Sequence, residues 1–201
     1  MRILPALMFA IPVLLAACAE PKWASTKDVQ AAMYRHPGPS TIALMTMIRT
    51  STGTGGHSAL LINGTQRVIF DPAGTWWHRN VPERNDVLYG IRPIMLDFYL
   101  DYHSRTTYHT VVQTVEVAPE VAQQAISVVE AYGAVPKMQC SLSVTRILAQ
   151  LPGFESVGGY WHPHKTMADF AKLPGVTTYK VFDTDADDNH RLPGNQVAAA
   201  N

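Results

Sequence analysis

A cysteine, a histidine and an aspartate stand in contexts suited to nucleophilic chemistry. Cys140 lies in Pro136-Lys137-Met138-Gln139-Cys140-Ser141-Leu142, where a loop passes into a helix. A thiol at a helix amino terminus feels the positive end of the helix dipole and faces free backbone N–H groups. Both lower its pKa, and the N–H groups can also hold a tetrahedral oxyanion. His57 follows the glycine-rich stretch Ser51-Thr52-Gly53-Thr54-Gly55-Gly56 and heads a predicted strand, so its imidazole is placed to take a thiol proton. Asp71 ends the next predicted strand. Pairing across Asn63-Gly64 brings the far ends of that hairpin together, where the carboxylate can accept the second ring N–H of His57. Each residue also has an ordinary reading. A lone histidine is commonly a surface or satisfied side chain, Asp-Pro starts turns, and a free cysteine is often a small buried apolar residue.

The cysteine count bears on that choice. There are two, Cys18 and Cys140. Met1-Arg2 gives a short positive start, and Ile3 to Ala17 is an uncharged, mostly apolar run ending in Leu15-Ala16-Ala17-Cys18. As a helix that run would span roughly 22 Å, short of the roughly 30 Å hydrocarbon core, so it reads as a signal-peptide core and not as a membrane span. The closing tetrapeptide resembles the bacterial lipobox. That resemblance implies cleavage before Cys18, diacylglycerol on its thiol, and stable anchoring by two or more acyl chains. The alternative is an ordinary signal peptide that happens to precede a cysteine. Ala19, and not Asp, follows Cys18, which implies outer-membrane placement facing the periplasm. Acylation would consume one cysteine and leave Cys140 unpaired in an oxidising compartment, where thiols normally pair.

Of the 201 residues, loss of the first 17 leaves 184, enough for one domain with a sizeable core. Arg2 departs with the signal, so 16 acidic residues face 15 basic ones, a formal charge of −1. Nothing in that balance favours nucleic acid, or lipid adhesion beyond the anchor. Trp161-His162-Pro163-His164 lacks the further converging ligands that zinc needs, and no His pair sits at helical spacing. Asp183-Thr184-Asp185-Ala186-Asp187-Asp188 lacks the glycine and closing glutamate of a calcium loop. No Gly-x-Ser-x-Gly elbow or phosphate loop is present. No metal or cofactor is expected.

The elements that must position the three residues follow from periodicity and punctuation. Residues 18–40 read mainly as an anchor and tether, with a short helix from a Ser25 or Thr26 cap to Tyr34. Residues 42–48, 57–62 and 67–70 read as strands, the last two joined as a hairpin. Residues 73–105 are aromatic-rich and irregular, with one helix near Met95 to Tyr102. A strand follows over 110–117, then a helix from Pro119 to the stop at Gly133. A second helix runs from about Cys140 toward Pro152-Gly153. A third, short one carries a variant capping box at Thr166 and Asp169 and ends near Leu173. A last strand covers 177–182, and the polar tail over 183–201 is expected to be disordered. The sum is an α+β domain over 41–182, a small antiparallel sheet packed against a few helices.

Gly56-His57-Ser58-Ala59-Leu60-Leu61-Ile62, the hairpin to Val68-Ile69-Phe70-Asp71, and the distant Cys140-Ser141-Leu142-Ser143-Val144 helix together resemble the circularly permuted papain-like superfamily. That group includes relatives of lecithin:retinol acyltransferase and bacterial cell-wall amidases. Its histidine strand precedes its cysteine helix. The resemblance spans roughly residues 40–175. It implies Cys140 as nucleophile, His57 as base and Asp71 as the third, polar position, where relatives often carry another histidine. The function expected is an envelope-facing cysteine hydrolase or acyltransferase. It would act on an amide or ester, in peptidoglycan peptide or acyl lipid, through an acyl-enzyme. The other expectation is a noncatalytic outer-membrane lipoprotein using the same fold for binding or scaffolding.

Overall fold

The computed structural model describes residues 21–188. Cys18 and the signal segment lie outside them, as does the tail beyond 188. Among the described residues no helix is long and apolar enough to cross a membrane.

A seven-stranded antiparallel sheet forms the centre, in the order β4-β5-β3-β2-β1-β6-β7. Its strands are β1 (Thr41–Arg49), β2 (Gly55–Asn63), β3 (Arg67–Phe70), β4 (Glu83–Arg84), β5 (Val87–Tyr89), β6 (Tyr108–Glu116) and β7 (Thr177–Val181). Among the described residues five helices accompany it: α1 (Thr26–Ala32), α2 (Pro93–His103), α3 (Pro119–Tyr132), α4 (Cys140–Leu148) and α5 (Pro163–Phe170). Pro opens α2, α3 and α5 in the first turn, where its missing N–H costs nothing.

Successive strand residues point to opposite sides, and both sides of the central strands are covered. Ile42, Leu44, Leu60, Ile62 and Phe70 belong to a core shared with α3, α4 and α5. Ala43, Met45, Ala59, Leu61 and Ile69 belong to a second core under α2, with Phe98 and Tyr99. Covering on both sides is why β1 reads as an almost unbroken apolar run and not as an alternation. The hairpin predicted across Asn63-Gly64 is present, pairing Asn63 with Arg67 through Leu60 with Phe70. Asn63 accepts from the Arg67 guanidinium at 2.6 Å and donates to the Thr41 hydroxyl at 2.6 Å, which satisfies polar groups buried near the turn.

Four segments differ from expectation. The stretch 73–105 carries two short strands, β4 and β5, which two and three residues are too few to announce. The segment read mainly as a tether has its Ser25-capped helix, and it packs along the outer edge. Lys22 pairs with Glu83 at 2.8 Å, the Ala24 N–H donates to the Glu83 carbonyl, and Arg84 donates back to the Ala24 carbonyl at 2.8 Å. Thr166 caps nothing: α5 begins earlier, at Pro163, and Thr166 is buried against the Ser141 hydroxyl at 2.8 Å. The described start of the polar tail is held by Arg105, which binds Asp183 and Asp185, while Asp187 accepts from the Thr107 N–H.

Phe70 is fully buried beside the Tyr132 ring and is the residue before Asp71, so it fixes the end of β3. Phe70→Ala should cost about 3–5 kcal/mol, seen as a lower urea midpoint at unchanged m-value.

Candidate functional site

His57 sits near the start of β2, beside a bulge. The β1–β2 register passes from Met47↔His57 to Ile48↔Gly55, so Gly56 is the extra residue and the bulge re-aims the ring next to it. Gly56 has to be glycine for a second reason, since a Cβ there would run into the Tyr108 ring. Asp71 follows β3 directly and is 3% exposed. Its backbone N–H donates to the Asp86 carbonyl at 2.8 Å, and the Gly74 N–H returns to the Asp71 carbonyl at 2.9 Å. That turn folds Gly74 under the Asp71 carboxylate so closely that no Cβ could fit there.

The structure brings His57, Asp71 and Cys140 together. His57 Nε2 donates to Asp71 Oδ1 at 2.7 Å, and the Tyr99 hydroxyl of α2 donates to the same oxygen at 2.8 Å. With Nε2 engaged, Nδ1 is the ring nitrogen left for the thiol, and His57 and Cys140 interact by hydrogen bonding and charge. The backbone N–H groups of Ser58 and Ser141 also help to lower the thiol pKa. Pairing with β3 stops at Leu60↔Phe70, so β2 presents an open edge beyond that point, and Ser58 lies on it. The His57 and Asp71 side chains share the side of the sheet that holds Tyr99 and α2, whereas α4 packs on the other side.

α4 begins at Cys140 with no side-chain cap on its first N–H groups, which leaves them to the sulfur and to whatever binds beside it. The loop before it is strained: Met138 has a φ of 68° and is 86% exposed. Ser143 donates to the carbonyls of Gln139 and Cys140 at 2.9 Å each, and Ser141 is clipped to Thr166. These contacts hold the first turn of α4 in place.

The electrostatics favour a charged pair. Burial lowers the His57 pKa, but the charge and hydrogen bond of Asp71, with smaller help from Cys140, overcome it and push it up to about 10. Burial raises the Asp71 pKa, and the His57 charge and hydrogen bond reverse this and hold it below the usual carboxylate value. The Cys140 thiol is raised by burial and lowered, on balance, by His57 and the two N–H groups. Together these shifts describe a charged imidazole near neutral pH beside a thiol that ionises more readily than a free one.

Two further side chains complete the surroundings, and neither was singled out from the sequence. Tyr99, fully buried, fixes the carboxylate, and its own pKa is driven well up by burial and by Asp71. His103 donates through Nδ1 to the Tyr99 carbonyl at 2.8 Å and stacks on His57 with centroids 5.9 Å apart. Burial, opposed by Asp71 but aided by His57, takes its pKa down to about 4, so it is neutral. The signal for both was a Tyr and a His four apart, with His103 one residue past the end of the predicted helix. The ligand atoms of His57, Asp71 and His103 lie within 4.8 Å of one another, a spacing a divalent ion can bridge. The short His57–Asp71 hydrogen bond already uses two of them, and an ion would have to displace it. His57 and His103 open onto a cleft of about 310 Å³ with Met47, Gly74, Tyr102 and Tyr108, which contains no carboxylate, lysine or arginine. His162 and His164 stack on each other at 5.8 Å, at the start of α5, and are not in this cluster.

Replacing the charge partner tests the electrostatics. The raised His57 pKa means that its pairing stabilises the fold fully below pH 6.5 and loses that contribution as pH climbs through about 10. The lowered Asp71 pKa adds a contribution that is complete above pH 3.8 and lost as pH falls further. In Asp71→Asn, the His57 ring observed by NMR should titrate several pH units lower, and the stability advantage of the native chain should be greatest between pH 3.8 and 6.5.

No protein-family model matches the chain, and comparison with characterised proteins and with solved structures gave no match, so the site is read from its own geometry.

Proposed function

We propose that this chain is a lipid-anchored, envelope-facing thiol hydrolase or acyltransferase with a circularly permuted papain-like arrangement. The observation that supports this reading is the 2.7 Å His57–Asp71 hydrogen bond beside Cys140, the first residue of α4, whose thiol pKa His57 lowers. In the reaction the Cys140 thiolate attacks an amide or ester carbonyl carbon. A C–S bond forms as the carbonyl π pair moves onto oxygen, and the Cys140 N–H at the uncapped helix start helps to hold that oxyanion. The His57 imidazolium gives its proton to the departing amine or alcohol as the C–N or C–O bond breaks. His57, now neutral, takes a proton from water or from another acceptor, which attacks the thioester and releases Cys140. Asp71 keeps the ring oriented and charged, as the third member does in such triads.

The cleft beside His57, in which His57 is the one charged wall residue among the described residues, suits an uncharged acyl portion. Anchoring through Cys18 would put the enzyme beside peptidoglycan peptides and acyl lipids, and both substrate types fit this chemistry. The neutral His103, behind the ring, has no proton to give near pH 7 and serves to position His57 through stacking.

The test is the rate of iodoacetamide alkylation of Cys140 against pH. The rate should stay on a plateau well below the free-thiol pKa of about 8.5, and His57→Ala should move the curve to an ordinary thiol profile. Tyr99→Phe should keep the plateau while shifting it upward, since only one donor to Asp71 is lost. A profile that ignores His57, or labelling only after denaturation, would reject the enzyme in favour of the noncatalytic lipoprotein.

A further inference from the structure

The outer edge of the sheet carries a second cavity, of about 700 Å³, which shares no lining residue with the cleft at His57. Its apolar walls include Ala31 and Ala32 of α1 and Ile94 of α2, and Ile94 is 45% exposed. Arg79 and Arg92 also line it. Both are exposed, and neither guanidinium has an ion pair or side-chain hydrogen bond among the described residues. The one carboxylate in the lining, Asp28, is engaged by the Ser25 hydroxyl at 2.7 Å. Next to the wall residue Ala24 stands Trp23, 68% exposed, with the Arg84 guanidinium 4.7 Å over its ring. An overall charge of −1 on the mature chain gave no sign of this local basic and apolar pairing.

We propose that this face docks on an anionic bilayer, with Arg79 and Arg92 taking lipid phosphates and Trp23 and Ile94 entering the headgroup region. The proposal rests on the reading of Cys18 as the acylated residue. Ala24 is six residues from Cys18, so at about 3.5 Å per residue it can be no more than roughly 21 Å from the lipid along the chain. From Lys22 onward the segment is held, because Lys22, Ala24 and Arg84 bind it to β4 and Ser25 caps α1. The domain is therefore held close to the membrane by this edge. Unpaired arginines there attract anionic headgroups, and exposed tryptophan favours the interface.

The full acylated chain would be placed in phosphatidylcholine vesicles with brominated acyl chains, with and without phosphatidylglycerol. The Trp23 signal is the difference in fluorescence quenching between the native chain and Trp23→Phe. It should be strong with phosphatidylglycerol and weaken by about threefold in Arg79→Gln/Arg92→Gln, whose thermal unfolding reports that the fold is kept. Quenching of Trp23 that ignores both the lipid charge and the two arginines overturns the docking. Intact mass of the same sample shows whether Cys18 carries diacylglycerol. An unmodified Cys18 overturns the anchor and this proposal together, whereas an acylated Cys18 with unquenched Trp23 overturns the docking alone.

Discussion

A carboxylate that is 3% exposed has lost nearly all its water, and an ionised group so placed is tolerated only with strong partners. For Asp71 these partners are the His57 ring and the Tyr99 hydroxyl, both on Oδ1. Much of the surrounding architecture serves this one group. β3 has to end where it does, α2 has to present Tyr99, and Gly74 has to lack a side chain so that the turn can close under the carboxylate. Removing either partner would leave a buried charge with half its solvation. Once satisfied, the carboxylate acts in turn on the ring, holding a positive charge at His57 that burial alone would expel.

The sulfur is then set by a different constraint. α4 lies on the opposite side of the sheet from α2, and a complete β3 would separate the thiol from the imidazole. The hairpin is asymmetric: β2 runs from Gly55 to Asn63, while β3 covers only Arg67 to Phe70. α4 packs on β2, and the N–H of Ser58, on the unpaired length of that strand, helps to lower the thiol pKa. Pro72 enforces the stop, since it has no N–H with which to extend the ladder.

The parts of this arrangement that were legible in the sequence are those written in local chemistry. Asn-Gly between two β-branched and apolar runs announced the hairpin, Pro119 and Gly133 delimited α3, and a polar loop before an apolar stripe placed Cys140 at a helix start. Tyr99 and His103 were hidden because α2 is apolar around much of its circumference, so no polar face drew attention to them. β4 and β5 are too short for a period-2 pattern to emerge. Thr166 looked like a cap because Thr-x-x-Asp suits one, but the tertiary contact with Ser141 claimed its hydroxyl. The packing of residues 22–25 against Glu83 and Arg84 depends on partners about 60 residues away, which no local pattern encodes.

The spacing of the three central residues along the chain has a kinetic meaning. His57 and Asp71 are 14 residues apart and are joined by a tight hairpin, whereas Cys140 lies 83 residues beyond His57. Closing the longer loop costs about 1.6 kcal/mol more chain entropy than closing the shorter one. Until then Cys140 has neither an imidazolium, nor a helix dipole, nor the Ser58 N–H beside it, and it remains an ordinary, largely protonated thiol. On the function proposed above, a chain crossing a membrane unfolded is in that state, and the proposed nucleophile acquires its reactivity only on reaching the folded form.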